Sequence, residues 1–439
     1  MYDLIIRDGT IVRSSGRLVA DIAIEDGKIA YVGGNPAGKA REEISAIGRF
    51  VMPGVIDTHV HVCNADRAEA DAWSRASREA VRGGVTTILD GPTPLSPTLD
   101  GKAVDEKCSV AARHSVANFG VLMGASASNL SLLAELWDAG KICGTKVYMY
   151  DRAGDGEAST HLLEDVFVST KGLIAVHAED QAILEVAHEK WKDNPSPDHN
   201  EVRPPEASVR AVETLIELVQ RTGRSVHICH LSTAAELAVL DPYRGDLPIT
   251  CEVSPQHLFL SVENAGDQGN FTKMNPPVRS ELDRRALMAA LKRGRMDTFG
   301  SSHFAFTKAQ KEQDYWSAPA GLPGVGTMFP LILGALKNGR LGLEMMVSML
   351  AETPARLFGL DGKGVIRQGA DADIVLFREG VTTKLTQPMV GGHCDWSPFV
   401  GREVGVLPDL VVVGGRVASR DGALMEDLQP GSLVNLLPR

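Results

Sequence analysis

Between about Val51 and Gly359 the chain repeats one rhythm, a short apolar run of strand character followed by an amphipathic helix. After the opening run at Val51, the strands fall at Gly84-Val-Thr-Thr-Ile-Leu-Asp, Asn118-Phe-Gly-Val-Leu-Met, Gly144-Thr-Lys-Val-Tyr-Met-Tyr, Leu173-Ile-Ala-Val-His, Ser225-Val-His-Ile-Cys-His, Pro248-Ile-Thr-Cys-Glu-Val and Asp297-Thr-Phe-Gly-Ser-Ser. The helical segments check in the same way. From Ser208 to Arg221, residues Val209, Val212, Leu215, Ile216 and Val219 form one apolar stripe, with Pro204-Pro205 just before its start. Eight such units predict a parallel barrel, whose chemistry sits at the C-terminal ends of the strands. A doubly wound open sheet satisfies the same periodicity.

At 439 residues the chain exceeds one ordinary core, so a second unit is expected. Residues 2–34 read as short alternating strands, with Asp8-Gly9 and Asp26-Gly27 as hairpin turns. That piece is too small to bury itself, and the tail supplies matching strands at Asp373-Ile-Val-Leu-Phe, Leu410-Val-Val-Val and Arg416-Val-Ala. The expected fold is therefore α/β: a (β/α)8 TIM-like barrel over 51–364, and a small β-sandwich domain formed by both termini, 1–50 plus 365–439.

Charge narrows the function. The 45 basic against 56 acidic residues give a net −11, and no basic run interrupts the balance, which argues against nucleic acid. Cys63, Cys108, Cys143, Cys229, Cys251 and Cys394 are scattered without a C-x-x-C pair, as in a reduced compartment. The N-terminal residues lack a signal-peptide pattern, and no apolar run approaches the ~18 residues that span a bilayer. A cytoplasmic protein with no membrane partner is the expectation.

Listed by strand end, the polar residues form a pattern. The first strand ends in His59 and His61, which share a face at i and i+2. The fourth carries Lys146, the fifth ends in His177, the sixth holds His227 and His230, and the eighth runs into Ser302-His303. Two imidazoles on one face can share a metal ion. Spacing forbids His227 and His230 from sharing a face, and His230, nearer the strand end, is the expected ligand.

These residues resemble the cyclic amidohydrolases, that is, dihydroorotases, hydantoinases and allantoinases. The resemblance runs nearly end to end, through Pro53-Gly-Val-Ile-Asp-Thr-His-Val-His, Gly144-Thr-Lys-Val-Tyr-Met, Val176-His-Ala-Glu-Asp, Arg203-Pro-Pro-Glu, His230-Leu-Ser, Met274-Asn-Pro-Pro-Val-Arg, Gly321-Leu-Pro-Gly-Val and Gly369-Ala-Asp-Ala-Asp-Ile-Val. It implies a metal-dependent hydrolase of C–N bonds in small cyclic amides, built as a homodimer or homotetramer. It also implies two divalent metal ions, usually zinc, one on His59 and His61 and the other on His177 and His230. Lys146 would bridge them as a CO2-derived carboxylate, a change that turns a repelled cation into an anionic ligand. Asn275 would present backbone groups to the substrate ring.

The sequence also departs from that family. Ser302 stands where the family has the aspartate that binds metal and moves the proton to the leaving nitrogen. General acid-base help is worth about 10²–10⁴ in rate, so its loss impairs hydrolysis rather than abolishing it. With one anion fewer, the ion on His59 and His61 is expected to bind more weakly. The alternative is a catalytically inactive paralogue acting as a structural or regulatory subunit. Cys63 and Thr93 stand where dihydroorotases have the arginine and asparagine that grip a substrate carboxylate, which disfavours dihydroorotate. Asp151 stands at the spacing of the hydantoinase tyrosine, with Tyr150 beside it, and Gly324-Val-Gly-Thr327 lacks a usual glutamate.

Overall fold

The computed structural model describes the chain apart from residues 63–68, 94–96, 151–159, 338, 340, 391–393 and 438–439, and apart from the side chains at 160 and 161. Cys63 and Asp151 lie outside the described residues.

One sheet is all parallel and closes on itself. Its strands are Val55–His61, Val85–Asp90, Asn118–Gly124, Gly144–Tyr148, Ile174–His177, Val226–Ile228 and Ile249–Val253, each paired to the next. The eighth position is split in two. Thr298–Phe299 pairs with Ile249–Val253, and His303–Phe304 pairs with Val55–His61, in the register His303 to Val60 and Phe304 to His61. The expected barrel is thus present, and the expected single run from Asp297 to Ser302 is two short strands joined through Gly300-Ser301-Ser302. Glycine is required at the break, because a Cβ on Gly300 would lie 2.2 Å from Glu252 Oε2. The opening run likewise divides at Gly54 into Phe50–Pro53 and Val55–His61.

The helix read from its apolar stripe spans Pro205–Thr222, with proline in its first turn and Gly223 at φ +67° ending it. Val212, Leu215, Ile216 and Val219 of that stripe are buried and Val209 is half-buried. The barrel floor is closed by the end of the chain. Phe119 N–H donates to Ser432 O at 3.0 Å, Val434 N–H donates to Phe119 O at 2.9 Å, and Val434 packs with Leu89, Leu122 and Cys143.

The second sheet takes strands from both ends of the chain, in the order Ala423–Leu424, Arg416–Arg420, Leu410–Val413, Ile374–Phe377, Phe50–Pro53, Tyr2–Arg13, Gly16–Glu25 and Lys28–Gly33, with Ala40–Ser45 also on Tyr2–Arg13. It is one continuous sheet that curls. The turn at Gly27 reaches across to accept a hydrogen bond from Ala372 N–H at 2.9 Å, enclosing Ile22, Ile24, Ile374 and Val412. Asp26-Gly27 is the hairpin turn expected of it. Asp8-Gly9 is not a turn. It is a bulge inside Tyr2–Arg13, with Asp8 at φ +56° and its N–H donated to Asp21 Oδ1 at 2.8 Å. Sequence alone does not separate these uses, since both need a residue that tolerates positive φ.

A buried cluster links the two sheets. Asp373 accepts from Lys363 Nζ at 2.6 Å, from Asn118 Nδ2 at 3.0 Å and from Gly414 N–H at 2.8 Å. Both charged side chains are 6% exposed. Removing one partner of such a pair leaves an uncompensated buried charge. Asp373→Ala is therefore expected to destabilise the protein by about 3–5 kcal/mol in denaturant unfolding. A loss well under 1 kcal/mol would show the cluster to be as weak as a surface pair.

Candidate metal centre

The first barrel strand, Val55–His61, is buried throughout, and its end delivers two imidazoles to the barrel mouth. The rings of His59 and His61 lie 5.2 Å apart, those of His59 and His230 5.0 Å, and those of His230 and His177 4.6 Å. Four histidines from three strand ends thus form a chain around a small cavity of about 40 Å³, which Tyr148, Tyr150, Asn275, Ser302 and Phe304 also line. A wider vestibule of about 700 Å³ shares Tyr150, Asn275, Phe304 and Ala320 with it and opens outward past Leu184, Val202 and Phe306.

Each of three imidazoles is set by a neighbour. His59 Nδ1 meets Glu252 Oε1 at 2.8 Å, so its Nε2 faces inward, 3.4 Å from Lys146 Nζ. His177 Nε2 meets Glu179 Oε2 at 2.6 Å, and Arg203 clamps the same carboxylate at 2.5 Å. His61 Nδ1 lies 3.4 Å from Gly91 O. Such partners fix the tautomer and ring orientation of a metal-binding histidine. His230 differs: its Nδ1 is buried without a hydrogen-bond partner.

Burial keeps these rings neutral. It holds His177 down to about 4, and holds His59 and His230 below the ordinary histidine range, with Lys146 adding to the effect on all three. Burial alone would raise Glu252, but His59 and His227 facing it hold its carboxyl well below the usual range. Neutral rings with inward lone pairs, one of them orphaned, suit a divalent cation.

The odd spacing of His227 and His230 is resolved by where the strand stops. Val226–Ile228 ends before His230, which takes φ +37° and turns into the cavity. His227 stays in the strand, its Nδ1 2.9 Å from Thr250 Oγ1 and its Nε2 3.3 Å from Thr298 Oγ1. His303 faces away from the cavity, where its Nδ1 accepts from the N–H groups of Gly324 and Val325 at 3.1 and 3.3 Å. Ser302 does line the cavity, at φ +48°, with its hydroxyl oxygen buried and unpartnered. Asn275 lines it too, its Oδ1 3.0 Å from His199 Nε2. Lys146 is 2% exposed and donates to Cys229 Sγ at 3.0 Å.

Sequence reasoning missed the supporting shell: Glu252, Cys229, Glu179 and Asp57. Glu252 was readable as the one acid in an apolar strand. It accepts from Thr58 Oγ1 at 2.7 Å and from the His230 N–H at 3.2 Å, besides its contact with His59. Asp57 Oδ1 accepts from the N–H groups of His59 and Ser301 at 3.2 and 2.9 Å, tying the first strand to the split eighth. Burial pushes its carboxyl up to about 7. Among the described residues His59, Cys229 and Glu252 also place ligand atoms within 4.8 Å of one another. Because Glu252 is already engaged by three donors, this trio reads as support for His59 rather than a separate ion site.

The amidohydrolase family profile matches residues 50–418. The chain is 36% identical over 414 residues to a dihydroorotase of Halobacterium salinarum, covering 94% of this chain and 95% of that one. It is 30% identical over 451 residues to an L-hydantoinase of Paenarthrobacter aurescens, covering 99% and 98%. Among solved structures, the L-hydantoinase (dihydropyrimidinase) of Arthrobacter aurescens superimposes with a TM-score of 0.90 at 29% identity, over 99% of this chain and 100% of that one. The chain belongs to the amidohydrolase family, among its cyclic amidohydrolases. Enzymes of this family generally bind divalent metals. Among the described residues no helix is long and apolar enough to cross a membrane.

Replacing Glu252 by Gln keeps the shape and removes the charge that orients His59. Affinity for zinc is expected to fall about 10–100-fold, read by calorimetric titration of the metal-stripped protein. Unchanged affinity would mean that His59 needs no such support.

Proposed function

We propose that this protein hydrolyses a C–N bond in a small cyclic amide, at a centre where His59 and His61 hold one divalent ion and His177 and His230 a second. Zinc is the ion suggested by the imidazole-rich donor set. The continuous run of four imidazoles, three of them kept neutral by burial, carries this reading. Unmodified, the Lys146 ammonium beside His59 would repel both cations; carboxylated by CO2 on Nζ, it would offer them an anionic oxygen ligand instead. The bound ions would supply Lewis-acid polarisation of the carbonyl and a water acidic enough to attack near neutral pH.

The chain's own residues then bind and orient. Asn275 and the neighbouring backbone face the ring, Tyr148 and Tyr150 wall it, and Phe304 lines both the cavity and the vestibule. Among the described residues lining the inner cavity there is no lysine or arginine. Arg203 at its edge is held by Glu179 and lies 4.4 Å from the Tyr150 ring centroid. Cys63 and Thr93, standing where dihydroorotases have the arginine and asparagine that grip a carboxylate, favour an uncharged ring of hydantoin, dihydrouracil or allantoin type over dihydroorotate.

Ser302 limits turnover. A hydroxyl can hold a water, but it cannot carry a proton from the attacking water to the leaving nitrogen near neutral pH. The test is elemental analysis of purified protein, followed by assays on hydantoin, dihydrouracil, allantoin and dihydroorotate, with Ser302→Asp alongside. The aspartate variant is expected to raise kcat by about 10²–10⁴ and to bind metal more tightly. Ordinary enzyme rates for the native protein would refute the role given to Ser302. Absence of metal from both forms would sink the catalytic reading and leave the inactive-paralogue alternative.

A further inference from the structure

Lys311 is 1% exposed, and among the described residues its Nζ forms no ion pair with a carboxylate. Its hydrogen bonds run to three backbone carbonyls: Pro319 O at 2.8 Å, Lys273 O at 3.0 Å and Gly321 O at 3.1 Å. Burial, with the nearby Lys273 charge, pushes this group well below the usual lysine range. The three carbonyls oppose that shift: they match the three N–H groups of an ammonium, whereas a neutral amine would leave one unmet. The Trp396 ring centroid lies 5.7 Å from the same nitrogen. Lysine is almost never buried without a counter-charge, so a different reason for this one must be found.

The three carbonyls belong to two separate stretches, and both lead directly into the site. Lys273 precedes Met274 and Asn275, and Pro319 and Gly321 flank Ala320; Met274, Asn275, Ala320 and Gly321 all line the inner cavity. Gly321 N–H donates to Lys273 O at 3.0 Å, joining the stretches directly. Lys273 reinforces the joint from the other side, its Nζ donating to Ala318 O at 2.7 Å and to Tyr315 O. Gly321 packs closely against the neighbouring strand, since a Cβ there would lie 2.7 Å from Phe304 O. The metal-facing histidines take no part in this joint.

We propose that Lys311 is a positioning residue: its ammonium draws three carbonyls to one point and so sets the spacing between Met274-Asn275 and Ala320-Gly321, the backbone walls that receive the substrate ring. It acts on substrate fit and not on the metals. Misplacing such walls weakens binding of substrate and transition state alike, which raises KM and leaves kcat nearly unchanged. The kinetic part of this inference rests on the proposed function; the structural part does not.

Lys311→Met keeps the length of the side chain and removes all three donors. Made in the full chain, with and without Ser302→Asp, it is expected to raise KM about tenfold while kcat stays within about twofold and metal content is unchanged. Hydrogen exchange read on peptides covering 270–276 and 317–322 should speed up in those stretches and not around His59. In Lys311→Ala, added ethylammonium should restore slow exchange and part of the KM. Lys273→Met, at a more open position, should shift both readouts the same way by less, and stands in if the Lys311 variants fail to fold. Unaltered exchange and KM, or a parallel fall of kcat, metal content and thermal stability, overturns the proposal. If no background turns over any cyclic amide, the functional reading has failed, and exchange with ethylammonium rescue still decides the role of Lys311.

Discussion

The arrangement at the barrel mouth depends on one buried anion. Glu252 is fully enclosed, and taking a carboxylate out of water costs several kcal/mol unless its oxygens are engaged. Here they accept from Thr58, from the His230 N–H and from His59. Those donors come from the first and sixth strand ends while Glu252 itself sits on the seventh, so a single charge stitches three strand ends together. Each donor lost leaves the others facing a less compensated anion. The geometry of the histidines is therefore coupled, and it is set before any ion binds.

The same logic explains why the two halves of the centre are not equivalent. His59 presents its inward nitrogen because Glu252 holds the other, and His177 does so because Glu179, clamped by Arg203, holds its Nε2. Arginine also keeps the Glu179 carboxyl well below its usual range against the effect of burial. The His61 ring contacts Gly91 O at 3.4 Å and shares its half with Ser302. The His59–His61 half thus has one imidazole oriented by a carboxylate, a second imidazole and a hydroxyl. The His177–His230 half has a clamped ring and a buried bare nitrogen.

The strand-end histidines and Lys146 were legible in the sequence because a barrel sends its chemistry to the C-terminal ends of the strands, and short apolar runs mark those ends. The curled terminal sheet was legible through its alternating runs. What was not legible depended on φ angles and on partners distant in sequence. Asp8-Gly9 and Asp26-Gly27 share a composition, yet one bulges because Asp21 captures its N–H and the other turns. The break in the eighth strand reflects the bulk of Glu252 against Gly300, a contact between residues about fifty positions apart. Likewise Lys311 sits in a polar stretch that reads as surface, and only the fold brings three carbonyls to meet it.

Ser302 brings these strands of reasoning together. Its φ of +48° lies where aspartate and asparagine are several-fold enriched among residues other than glycine, and a serine gains no comparable local support there. Its hydroxyl oxygen is buried and lines the cavity without a protein partner. The tie between Asp57 and the Ser301 N–H keeps this turn in place regardless of the side chain at 302. Because the turn is held by its neighbours, aspartate at 302 would meet a ready-made conformation.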